Sequence, residues 1–263
     1  MAAHPGIDEQ IAKLDAEIEA TPDDARLYLR RGELHRIHRD WSKAEADYGA
    51  ALARDGQLRI AEFCLGRLKF EAGDPAQARA ILSRYLTARP DDAEALAYRG
   101  RALVALGEPL AAAEDFSHAI RSWNGAPRPE HFLERARALD SAGPEHVGAA
   151  IAGLDEGLRL LGEPVTLQLY AIDLELERRN YDGALARLQR IASQSVRQEP
   201  WLVRKATILE AAGRLEEARS AYRETLASIE TLPSNRRGNK AVERLEQEAR
   251  QALERLDLAP ASP

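Results

Sequence analysis

Near the start of the chain Ile7, Ile11, Leu14 and Ile18 recur at spacings of four, three and four. That period puts them on one face and predicts an amphipathic helix over residues 7–20. Near its end Val242, Leu245, Ala249, Ala252 and Leu256 follow at three, four, three and four, within a helix predicted over residues 236–257. Between them the pattern is itself periodic. Gly32, Gly66 and Gly100 stand 34 residues apart; Ala44, Ala78 and Ala112 lie twelve residues beyond each, and Tyr48, Leu82 and Phe116 four beyond those. Three markers sharing one period indicate an internal repeat.

The same order continues with drift to Leu232. In the fourth repeat Ala136 replaces the glycine, Ala150, Leu154 and Gly157 carry the second-helix markers, and the turn Ser141–His146 holds two extra residues. The fifth has Ala184 and Leu188 but places Ile172 where a small residue is expected, so its helices must sit wider or rearrange. The sixth returns to form with Ala206, Ala218 and Tyr222. A small residue on the first helix lets the second approach closely, and enlarging it would overpack the seam. Gly73-Asp74-Pro75 and Gly107-Glu108-Pro109 read as a helix stop followed by a helix start. Asp23-Asp24 and Asp91-Asp92 put carboxylates where a helix N-terminus favours them.

The period and the order of glycine, alanine and large apolar residue resemble the tetratricopeptide repeat, a helix-turn-helix unit. The resemblance implies an all-α fold, a right-handed α-solenoid of about six helix-turn-helix units. Residues 1–23 would form an N-terminal segment and capping helix, 24–232 the six repeats, and 233–263 a C-terminal capping helix and tail. It also implies that the first helices line a concave groove. The residue after the small position, pointing into that groove, reads Glu33, Arg67, Arg101, Arg137, Asp173 and Thr207. The position three before the small one reads Leu29, Phe63, Ala97, Leu133, Leu169 and Val203, an expected apolar strip, which Phe70 and Val104 extend. Arg67, Arg101, Arg137, Phe63, Phe70 and Leu133 are therefore the expected peptide-binding residues, since guanidinium forks suit carboxylates. The competing reading pairs Arg67 and Arg101 with Glu94 and Glu130 of neighbouring repeats. Leu29 and Glu33 stand where chaperone-binding members carry a lysine and asparagine clamp, so that role is not expected.

Composition narrows the partner. With 263 residues, 30% charged, 5% aromatic and a net charge of -6, the chain lacks the positive excess that nucleic acid or anionic membranes favour. Expected partners are a protein or peptide with an acidic or carboxylate-bearing segment, with no nucleic acid, no membrane insertion and a monomeric chain. One cysteine, Cys64, excludes an intramolecular disulfide and reads as a buried thiol. No phosphate loop, dinucleotide fingerprint or hydrolase signature occurs, so neither catalysis nor a cofactor is expected. The reading is a non-enzymatic interaction scaffold from a bacterium.

Two alternatives stand beside it: a metal-binding or hydrolytic protein using His35 and His38, and an accessory subunit of an envelope enzyme. Ala3–Asp8 looks like the start of a trimmed exported protein, which leaves cytoplasmic and periplasmic locations both open. If Met1 is removed, Ala2-Ala3-His4 offers the square-planar donor set of Cu(II) or Ni(II). Trp41, Trp123 and Trp201 read as packing anchors, and Asn235–Lys240 as a basic loop.

Overall fold

The computed structural model describes residues 5–258, and among these residues it is all-α, with fifteen α-helices and no strand. In chain order they are α1 (Pro5–Ala20), α2 (Ala25–Ile37), α3 (Trp41–Arg54), α4 (Arg59–Glu71), α5 (Pro75–Ala88), α6 (Ala93–Ala105), α7 (Pro109–Ser122), α8 (Pro129–Ser141), α9 (Val147–Leu161), α10 (Val165–Glu177), α11 (Tyr181–Gln194), α12 (Glu199–Ala211), α13 (Leu215–Glu230), α14 (Ser234–Arg237) and α15 (Lys240–Leu258). A 3-10 turn, Pro144–His146, precedes α9.

Local chemistry explains the boundaries. Asp24, Asp40, Asp74 and Asp92 each accept a backbone N–H from the first turn of the helix they precede, and Asn180 does the same for α11. Pro75, Pro109, Pro129 and Pro200 sit in first turns, where a missing N–H costs nothing. The reversal after α4, α6 and α12 uses glycine at positive φ: Gly73, Gly107 and Gly213. At the equivalent places after α2 and α10 stand Arg39, at φ 61°, and Arg179, at φ 57°, side chains held in a region that suits glycine.

The chain divides between His146 and Val147 into two compact units. That division falls inside the fourth repeat, at the turn with two extra residues. In the first unit α1 packs on α2, and the hairpins α2/α3, α4/α5 and α6/α7 follow one another, with α8 on α7. In the second, α9 packs on α10, the hairpins α10/α11 and α12/α13 follow, and α15 lies against α13 and α12. The seams are as the markers require: Ala44, Ala78, Ala112, Ala150, Ala184 and Ala218 are all fully buried. A Cβ added at Gly100 would lie 2.8 Å from Cε1 of the Phe116 ring, and one at Gly66 would lie 2.7 Å from Cγ of Leu82. Gly100→Val is accordingly expected to destabilise the first unit by about 1–3 kcal/mol, read from urea unfolding, through overpacking. A cost near zero would mean that the seam opens freely.

Ile172, the large residue expected to widen or rearrange the fifth repeat, is fully buried in one cluster with Ala184, Leu188, Ile191 and Ile208. Two helix boundaries need adjustment. The helix predicted over 236–257 is interrupted: after the single turn α14, Asn239 accepts the N–H of Ala241 at 2.9 Å and starts α15 afresh. The helix predicted over 7–20 begins slightly earlier, at Pro5.

Candidate functional site

Three first helices of the first unit, α4, α6 and α8, carry the residues singled out in the sequence. Phe70, Arg101 and Arg137 line one cleft of about 520 Å3, together with Val104, Phe116 and Glu134. Its floor is apolar. Val104 is 44% exposed there, and the Phe70 ring stands edge-on to Tyr98 at 6.1 Å. Arg137 is exposed at the margin, and Leu133 is half-buried.

Phe63 is a correction to the expected strip. It is 4% exposed, tilted against Tyr85 at 5.8 Å and edge-on to Tyr98 at 6.0 Å, and so belongs to the core. Ala97 and Val203, at the same repeat position, are buried as well. At this repeat position Phe63, Ala97 and Val203 are core residues, whereas Leu29, Leu133 and Leu169 are half-buried.

The arginines are held by carboxylates of adjacent repeats, but not by the expected ones. Arg67 donates from Nη2 to both oxygens of Glu33 at 2.6 Å, and Arg101 donates to Glu134 from Nε at 2.6 Å and Nη2 at 3.1 Å. Arg36 reaches Glu71 at 2.8 and 3.0 Å. Glu33 also accepts the Tyr48 hydroxyl and contacts Arg36 at 3.3 Å. Burial alone would raise its carboxyl pKa; the Tyr48 hydroxyl and the Arg67 and Arg36 charges outweigh burial and hold it below the usual carboxylate value. The partners lie 34, 33 and 35 residues apart, so opposite charges at the repeat period were the signal that could have found them.

The remaining candidates occupy structural positions. His35 is buried, with Nε2 3.8 Å from Asp47, and burial pushes its imidazole below the ordinary value. His38 closes the end of α2. Among the described residues no three His, Cys, Asp or Glu side chains converge to hold a metal ion. The Cys64 thiol is buried and pushed up to about 12, chiefly by desolvation. Trp123 lies on His131 with centroids 4.1 Å apart, and Trp41 packs on the core. Arg236 and Arg237 are exposed on α14. His4 and the Cu(II) or Ni(II) set it would complete lie outside the described residues. Among the described residues no helix is long and apolar enough to cross a membrane.

A family model described as tetratricopeptide repeat matches residues 65–127 and 171–233. Solved structures share the fold. A tetratricopeptide repeat protein from Parabacteroides merdae is 16% identical, with a TM-score of 0.56 over 93% of this chain and 92% of that one. YrrB, described as a TPR protein with an unusual peptide-binding site, is 18% identical with a TM-score of 0.56 over 68% of this chain and 91% of its own. PilF of Pseudomonas aeruginosa is 16% identical, with a TM-score of 0.54 over 86% and 98%. No curated protein matches the sequence.

Proposed function

We propose that this chain, which belongs to the tetratricopeptide-repeat family, is a non-catalytic interaction scaffold whose first unit receives a peptide segment in the cleft between α4, α6 and α8. Repeats of this family build protein-interaction scaffolds, and that coarse role rests on the fold. In this reading residues 24–232 form the repeat array, and α1 and α15 cover its exposed apolar ends.

The observation that carries the finer reading is the apolar cleft itself. Half-buried Phe70 and exposed Val104, each one helical turn beyond an arginine position, offer a seat for one bulky apolar side chain. Arg101, bonded to Glu134, and Arg137 line the same cleft and bring guanidinium donors to its margin. A partner segment with a large apolar residue next to a carboxylate fits both features. Peptide binding by YrrB is a parallel on the same fold.

The test is a selection of peptides from a random displayed library on the immobilised wild-type chain. Enriched peptides should combine an aromatic or leucine residue with Asp or Glu. Their affinity should fall by about 1.5–3 kcal/mol in Arg137→Ala, the range of a charge-assisted contact, and further in Val104→Asp. Arg67→Ala should change stability more than binding, because its guanidinium is held by Glu33. Peptides that bind Val104→Asp as well as wild type would place the working surface elsewhere.

A further inference from the structure

The seventh residue of each helix is where two of the hairpins join their members by charge, whereas α4/α5 has Leu65 and Ile81 there. In α2/α3 these residues are Arg31 and Asp47, bonded at 2.9 and 2.6 Å; in α6/α7 they are Arg99 and Asp115, at 2.7 and 2.6 Å. In α10/α11 they are Ala171 and Arg187, and the guanidinium finds Asp155 at 2.6 and 2.9 Å. In α12/α13 they are Lys205 and Ala221. The cation is kept and the carboxylate is missing.

Lys205 is half-buried and lines a cleft of about 340 Å3 between α11, α12 and α13, inside the second unit. Among the described residues its side chain has no hydrogen bond and no ion pair. Glu217, which feels its charge, accepts Nε and Nη2 of Arg214 at 2.7 Å each. One helical turn back, Trp201 lines the same cleft, and its indole N–H has no acceptor among the described residues. Leu188, Leu202 and Leu209 supply apolar surface beside these two donors, and Glu224 stands on the wall. A half-buried lysine whose side chain has no counterion, a second donor without an acceptor, and a cleft of ligand size with mixed polar and apolar walls occur together.

We propose that this cleft binds a single carboxylate carried on an apolar body. The Lys205 ammonium takes the carboxylate with the Trp201 N–H as second donor, and the leucines take the body. The ligand then supplies from outside the group that Asp47 and Asp115 supply within their hairpins. Glu224 and Glu217 repel a second negative charge, so monocarboxylates are favoured over dicarboxylates. The carboxylate can be that of a free acid or of an acidic side chain on a polypeptide, and the two sources share this chemistry.

The experiment titrates the full chain with 4-phenylbutyrate, its uncharged amide, and the capped dipeptide acetyl-Phe-Glu-amide, following tryptophan indole cross-peaks by NMR. The Trp201 peak is identified by its loss in Trp201→Phe. A saturable shift of that peak is expected with at least one of the two carboxylates. The neutral amide should bind about tenfold to a hundredfold more weakly, the range of a charge-assisted hydrogen bond. Lys205→Met should lose affinity to the same extent with its circular dichroism unchanged, and Ala221→Asp, which supplies the carboxylate that Asp47 and Asp115 supply in α2/α3 and α6/α7, should close the site to the probes. Should Ala221→Asp fail to fold, Lys205→Met carries the test alone. Tighter binding of the dipeptide points to a polypeptide side chain, and tighter binding of phenylbutyrate to a free acid. Absence of any saturable shift, equal binding of acid and amide, or undiminished binding by Lys205→Met would each overturn the assignment.

Discussion

Tyr48→Ala is expected to remove about 3–5 kcal/mol from the stability of the first compact unit, the usual cost of deleting a buried aromatic side chain. Tyr48 has no exposed surface, and its ring lies where a Cβ on Gly32 would come within 2.7 Å. The α2/α3 seam is built around that ring, and a rigid helix pair cannot close the void completely. Its hydroxyl adds a second component, because it donates to Glu33. Tyr48→Phe isolates this part and should cost about 1.5–3 kcal/mol, as for a hydrogen bond to a charged group. Urea unfolding of the three proteins separates the terms. A loss below about 1 kcal/mol in Tyr48→Ala would mean that the seam relaxes around the vacancy and that the marker pair Gly32 and Tyr48 is not a fixed contact.

Removing Glu33 should have the next largest effect. Glu33→Ala leaves Arg67 and Arg36 without one counterion between them, and Arg67 is 13% exposed, with its Nε already lacking a partner. Breaking a buried ion pair typically costs about 3–5 kcal/mol. The Glu33 side chain is 29% exposed, so solvent screening reduces this to about 2–3 kcal/mol. The pH dependence has a fixed sign. The folded-state pKa of Glu33 is depressed, so its contribution is complete above the ordinary value of 4.5 and is lost as pH falls through the folded value. The gap between wild type and Glu33→Gln should therefore be constant from pH 7 to about 5 and shrink below 4.5. His35 acts in the same direction in another window: burial depresses it, so stability declines once pH drops below 6.5. That decline should appear in both proteins and cancel in their difference. Thermal melting between pH 7 and pH 3 would show it, and a gap that widens on acidification would contradict the Glu33 assignment.

Much of this arrangement was legible in the sequence because the repeat imposes hard steric requirements. A 34-residue spacing of glycine and alanine can persist only where two helices touch at every period, so the hairpins and seams followed from it. Asp24, Asp74 and Asp92 announced helix starts through local hydrogen bonding alone. Side-chain destinations were less legible, because they depend on which neighbouring helix wins a residue. Phe63 sits at a position assigned to the groove, yet the aromatic cluster with Tyr85 and Tyr98 draws it inward. Arg101 pairs with Glu134 and not with Glu130, since one helical turn decides which carboxylate meets the guanidinium fork. The Arg31–Asp47 and Arg99–Asp115 pairs share a separation of 16 residues, a signal present in the sequence. Only with that rule in hand does the pairing of Lys205 with Ala221 become conspicuous.

The ladder of ion pairs across α2, α4, α6 and α8 also bears on how quickly a partner arrives. Charges cancelled within a few ångström project little field beyond the Debye length, about 8 Å at physiological salt. A charged partner approaching this face would gain little acceleration, and its association rate should stay near the unsteered range of about 10^5–10^6 M-1 s-1, almost independent of ionic strength. Discrimination between competing segments then resides in dissociation. The segment that fills the space between Phe70 and Val104 stays longest, and none of its competitors is turned away at a distance.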